Sequence, residues 1–161
     1  MTSAHGVFVF GASGHAKVVI DAIERAGRYR VLCVYDDAAD KHGASLMGYP
    51  IIGGREALLA RRNETRVGIV GIGDNEARIA VASWLIAHEC TLASVVHPAA
   101  SIGREVTIGD GTVVMAGCVI NSGTRIDRNV IVNTSASVDH DCDISDGVHV
   151  GPGARICGHV S

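Results

Sequence analysis

The chain has 161 residues, 47% of them hydrophobic and 19% charged, with a formal net charge of -3. That balance fits one globular domain or two small ones and excludes a disordered or collagen-like chain. Two lysines and no basic stripe argue against a nucleic-acid partner, and no apolar run reaches the roughly 18 residues of a membrane span.

Along the chain, the first 97 residues read as alternating strands and helices. GVFVFG (6–11) is a short apolar strand, and AKVVIDAIERAG (16–27) sets Val18, Val19, Ala22, Ile23 and Ala26 at helical spacing before a terminating Gly27. YRVLCVYDD predicts a second strand that ends in Asp36 and Asp37. A turn and short helix follow in YPIIGGREALLARR, then a strand in RVGIVGIGDN and a helix in EARIAVASWLIAHEC, with Ile79, Ala82, Trp84, Ile86 and Ala87 as its apolar set. LASVVHP closes the series. The alternation predicts a small parallel Rossmann-like sheet of about four strands over 1–97, with the boundary at Pro98.

The first loop, G-A-S-G-H-A, places backbone N–H groups at a helix N-terminus, and Asp36 lies where a ribose-binding acid belongs. The loop has Gly11 and Gly14 but no third glycine, so a nicotinamide cofactor is disfavoured. A nucleotide site and a tight packing turn with solvated aspartates both remain open on these residues alone.

From Ser101 the chain divides into hexads, SIGREV, TIGDGT, VVMAGC and onward to RICGHV, and the second residue of every hexad is Ile or Val. A six-residue period fits neither the 3.6-residue helix nor simple alternation; it fits a solenoid of short strands and tight turns. Sixth positions such as Thr112, Cys118, Thr124 and Ala136 are small or β-branched, as a crowded interior requires. Within SVDHDCDISDGVHV (137–150), His140 lies in a non-core position between Asp139 and Asp141, a histidine suited to general-base work with a carboxylate to orient it. Asp143 and Asp146 read as turn residues. No metal is expected, because His140, His149 and His159 lack short ligand spacing. Five cysteines without a C-x-x-C pair and the lack of a signal peptide predict a reduced, cytoplasmic protein.

The hexads resemble the left-handed parallel β-helix of the hexapeptide-repeat acyltransferases. Together with the GASGH loop they resemble the NeuD-type sugar acyltransferases, close to the N-acetyltransferases of nucleotide-linked 4-amino sugars. The resemblance implies acetyl-CoA as cosubstrate, a UDP- or GDP-linked amino sugar as acceptor in cell-surface glycan biosynthesis, and a homotrimer. It implies nucleotide-sugar contacts by Ser13, Gly14, His15, Asp36, Gly73, Asn75 and Arg78, catalysis by His140 supported by Asp141, and acetyl-CoA contacts at His149 and Gly151. Asp141 stands where the family has a longer Glu. Sialic acid O-acetylation and a noncatalytic trimeric nucleotide-sugar-binding protein are the alternatives. Family members continue for further coils, so the β-helix domain over 98–161 is expected to be truncated at Ser161.

Overall fold

A computed structural model describes residues 5–61 and 63–161. The chain divides into two compact units between Ala93 and Ser94.

The first unit holds β1 (His5–Phe10), α1 (Gly14–Ala26), β2 (Tyr29–Tyr35), β3 (Ser45–Leu46), β4 (Tyr49–Gly53), α2 (Arg55–Ala60), β5 (Val67–Val70), α3 (Asn75–Ala87) and β6 (Thr91–Leu92). Its sheet has six strands in the order β3-β4-β2-β1-β5-β6, and only the β3–β4 pair is antiparallel. β4 forms where a turn was expected in YPIIG, and β3 and β6 are two-residue edges, too short to leave a periodic signal. Val7, Phe8, Val9 and Phe10 of β1 are all buried, as a central parallel strand covered on both faces requires.

The helices bury different faces from those the apolar residues suggest. In α1 the core side is Ala16, Val19, Ile20, Ala22 and Ile23, while Val18 is exposed; Gly27 ends the helix at φ 66°, its N–H donating to the Ile23 carbonyl. In α3 the buried set is Arg78, Val81, Ala82 and Leu85, and Ile79 and Ile86 face solvent. Those four sit at i, i+3, i+4 and i+7, so helical geometry and the sheet select the face, and one of its members is an arginine.

The second unit is the left-handed parallel β-helix. Its three faces are β7 (Val95–Val96), β10 (Val113–Val114), β13 (Ile131–Val132) and β16 (His149–Val150); β8 (Ser101–Ile102), β11 (Val119–Ile120), β14 (Ser137–Val138) and β17 (Arg155–Ile156); and β9 (Thr107–Ile108), β12 (Arg125–Ile126) and β15 (Asp143–Ile144). Val119 pairs with Ser101 on one side and Ser137 on the other, so a coil is 18 residues, three hexads. Second positions from Val114 to Val150 point inward and are buried, each worth about 1.5–3 kcal/mol. Thr112 and Thr124 are also fully buried, and each hydroxyl donates to a carbonyl of the next coil, Asp127 or Asp139, at 2.7 Å.

The fifth residue of every hexad from Glu105 to His159 has positive φ, glycine at some corners and Asn129, Ser135 or Asp141 at others. Such a residue follows the first central position of a type II turn, a position that favours proline. Pro152 occupies that position ahead of Gly153, and Pro98, at the same hexad position, sits in a turn closed by Ala100 N–H donating to the His97 carbonyl at 2.9 Å. Pro98 therefore lies within a corner rather than at the boundary, and the array starts upstream of it at Val95, which pairs with Val113.

Candidate functional site

The loops after β1 and β5 form the first candidate region. The strand order reverses at β1, which has β2 on one side and β5 on the other, and in such parallel sheets ligands bind at that switch point beyond the carboxyl ends of the strands. The backbones approach closely here. Gly71 N–H donates to the Phe10 carbonyl at 2.7 Å, and a Cβ on Gly11, whose φ is 113°, would lie 2.9 Å from the Gly71 oxygen. Ser13 caps α1 in an extended conformation and makes no side-chain cap bond, while the Cα of Gly14 faces open space. His15 is half-buried and lies against Gly73, where an added Cβ would meet its Cβ at 3.6 Å. The structure thus brings the GASGH and GIGDN loops against one another.

Two of the expected contact residues serve the loops themselves. The Asp36 carboxylate accepts from Ala12 N–H at 2.6 Å and Ala38 N–H at 2.9 Å, and pairs with Lys41 at 3.0 Å. Burial works against its charge, but these hydrogen bonds prevail and hold the carboxyl below its usual range. Arg78 is 1% exposed, and its guanidinium donates to the carbonyls of Ile72 and Gly73 at 3.3 and 3.0 Å and to Asn75 Oδ1 at 2.8 Å. Burial lowers its pKa. Asp74 caps α3, accepting from Ala77 N–H at 2.9 Å. Arg78 therefore shapes the second loop from beneath, a role that an exposed-looking G-x-G-D-N-E-A-R run does not announce.

The second region is the β-helix corner between β14 and β15. His140 and Asp141 are its fourth and fifth residues, and Asp141 takes the positive φ (55°). Aspartate tolerates that conformation, and the turn places Asp141 Oδ2 2.8 Å from His140 Nδ1. The shorter acid reaches the imidazole. Asp139 accepts from His140 N–H and from Asn121 Nδ2, both at 2.9 Å. The hydrogen bond that His140 donates to Asp141 raises the His140 pKa above the ordinary histidine value, with Asp139 adding to it. His149 stands apart on β16, with Nε2 2.9 Å from Asn133 Nδ2. It lines an apolar hollow of about 300 Å³ with Gly151, Ile144, Val148 and Ile156.

Two residues one coil beyond His140 and Asp141 join this corner: Gly158, which the sequence does not single out, and His159, which it offers only as a rejected metal ligand. His159 packs edge-on against His140 at 5.1 Å, with its Nε2 3.9 Å from Asp141 Oδ2. Gly158 lies under the His140 ring, where a Cβ would approach Cε1 at 2.9 Å and Nε2 at 3.0 Å. Its φ is not positive, so room rather than conformation accounts for the glycine. Adding one 18-residue coil to 140 and 141 would have found both. Gly158→Ala is expected to push the imidazole off Asp141 and so return the raised His140 pKa toward the ordinary histidine value at unchanged melting temperature. NMR titration of the imidazole beside thermal unfolding checks this, and an unchanged titration would show that the ring has room to spare.

Comparison with known proteins matches residues 6–85 to the family described as the PglD N-terminal domain. Over 157 residues the chain is 25% identical to GDP-perosamine N-acetyltransferase of Escherichia coli O157:H7, covering 94% of this chain and 70% of that protein. A histidine-to-asparagine variant of perosamine N-acetyltransferase from Caulobacter crescentus, in complex with CoA and GDP-perosamine, matches with TM-score 0.89 and 35% identity, over 95% of this chain and 71% of that one. The acetyltransferase domain of PglB from Neisseria gonorrhoeae FA1090, in complex with acetyl coenzyme A, matches with TM-score 0.84 and 34% identity, over 94% of this chain and 73% of that one.

Proposed function

The chain belongs to the acetyltransferases of nucleotide-linked amino sugars, and from that premise we propose that it transfers the acetyl group of acetyl-CoA to the amine of a UDP- or GDP-linked 4-amino sugar in cell-surface glycan biosynthesis. The observation that carries the chemistry is the His140–Asp141 pair, with its 2.8 Å hydrogen bond at an exposed corner. Asp141 holds Nδ1 as the N–H tautomer, which leaves Nε2 with its lone pair as the base. The acceptor nitrogen adds to the thioester carbon as His140 takes its proton. The C–S bond then breaks, the amide forms, and the proton passes to the departing CoA sulfur. Backbone N–H groups of the coil stabilise the oxyanion.

The nucleotide part occupies the switch point of the first unit, contacted by Ser13, Gly14, His15, Gly73 and Asn75, with Asp36 and Arg78 holding the two loops in shape. Acetyl-CoA contacts His149 and Gly151 in the second unit. The active assembly is a homotrimer closed by three-fold symmetry. Among the described residues no helix is long and apolar enough to cross a membrane, and all five cysteines are free; both features support a cytoplasmic enzyme, where acetyl-CoA is at hand.

Free CoA release with acetyl-CoA and a panel of UDP- and GDP-4-amino sugars tests the reading. One of these sugars is expected to drive release, and a nucleotide-sugar at a hundred times its Kd to stabilise the protein by about 2.7 kcal/mol, while NAD does neither. Release with free sialic acid alone would instead make it an O-acetyltransferase. Stabilisation by nucleotide-sugar with no release from any member would make it a binding protein.

A further inference from the structure

Spacing along the chain argues against a metal, yet the coil gathers His140, Asp141 and His159 at one corner. One donor atom from each lies within 4.8 Å of the other two. We propose that these three residues bind a divalent transition cation of the zinc class, and that the bound ion reversibly blocks acetyl transfer.

Zinc bonds of about 2.0–2.2 Å in tetrahedral geometry put ligand atoms about 3.4 Å apart. The separations of His140 Nδ1 and His159 Nε2 from Asp141 Oδ2, 2.8 and 3.9 Å, lie on either side of that value. The three side chains are more than half exposed, so shifts of half an ångström are unhindered and an ion reaches them from solvent. The backbone prepares the placement. Asp141 and His159 are fifth-position residues of the same corner in successive coils, with φ 55° and 60°, and His159 N–H donates to the His140 carbonyl at 3.1 Å. The two turns therefore send both side chains off the corner in the same direction. At the equivalent place in the preceding coil stands Gly123, the residue that adopts this conformation without strain. Two imidazoles and one carboxylate suit Zn²⁺, Co²⁺ or Ni²⁺, and not Mg²⁺, which prefers oxygen ligands alone.

The ion blocks the reaction through the tautomer. To ligate at Nδ1, the neutral His140 imidazole moves its proton from Nδ1 to Nε2. Nε2 then carries N–H and has no lone pair for the acceptor amine, while Asp141 exchanges its hydrogen bond for a metal bond. No charge is created on the ring, and no other reactant is needed.

Titration of the protein with Co²⁺ reads the site without reference to activity, and Zn²⁺ inhibition of CoA release reads the block, which rests on the proposed reaction. Expected are saturable binding of one Co²⁺ per chain, with the visible bands of four-coordinate cobalt, and Zn²⁺ inhibition reversed by chelator. His159→Asn, in which asparagine keeps the positive φ accessible, is expected to weaken both Co²⁺ binding and Zn²⁺ inhibition by at least about tenfold. Equal Co²⁺ binding in wild type and variant, absence of saturable binding, or an equal response to Mg²⁺ would overturn the site. Binding without inhibition would overturn the block.

Discussion

His140→Ala lowers kcat by about 10² to 10⁴ and leaves both Michaelis constants close to wild type, because it removes a proton acceptor and no binding contact. The pH profile separates this from a structural effect. His140 has a raised pKa, caused first by its hydrogen bond to Asp141, so the base stays protonated and idle to a higher pH than an ordinary histidine. The wild-type rate should rise through that limb, whose apparent value belongs to the coupled pair. Asp141→Asn removes the raising influence and moves the limb to lower pH, at a smaller loss of kcat than the alanine variant because the imidazole remains. The linked stability has the opposite sense. A histidine with a raised folded pKa favours the native state fully below its unfolded pKa, and this contribution disappears as pH rises through the folded value. Activity thus appears as the ion pair is discharged. Retention of most activity in a folded His140→Ala protein would assign the proton to another acceptor.

Arg78→Ala is expected to cost about 3 kcal/mol of stability in the first unit. The arginine is 1% exposed and serves the carbonyls of Ile72 and Gly73 and the side chain of Asn75. Alanine takes the donor from two half-buried carbonyls and from the exposed Asn75 side chain, and opens a cavity beneath the loop. For a chain of this size the melting temperature falls by about 10 °C. Nucleotide-sugar affinity then weakens as a consequence of the loosened loop. Arg78→Lys retains the charge but not the planar fork, and falls between the two. A variant that melts like wild type yet loses nucleotide-sugar binding would instead make Arg78 a direct ligand contact.

The β-helix was legible in the sequence because its information is local and repeats. An inward Val or Ile at each second position, a small sixth residue and a turn-forming fifth define one face of the prism, and the next hexad defines the following face with the same rules. The GASGH loop was legible for a related reason, since a glycine turn between a strand and a helix is a short-range device. The His140–Asp141 pair could be proposed from the sequence because its members are neighbours in the chain, and the structure places them 2.8 Å apart.

Tertiary structure decided what depends on contacts across the chain. Val95–Val96 joins the coil only because it pairs with Val113–Val114, and Pro98, which resembles a boundary, is tolerated at a corner. Arg78 is the core-facing residue of an otherwise apolar set because the loop above it presents carbonyls that need donors, and no pattern within α3 encodes that need. Gly158 and His159 come to His140 and Asp141 through backbone hydrogen bonds between coils, which fix what lies next to what at 18-residue offsets. Interior positions must repeat at that offset because they share one packed core. Exposed corners are under no such constraint, so the residues that meet there carry no period, and only the stacking of one coil on the next reveals them.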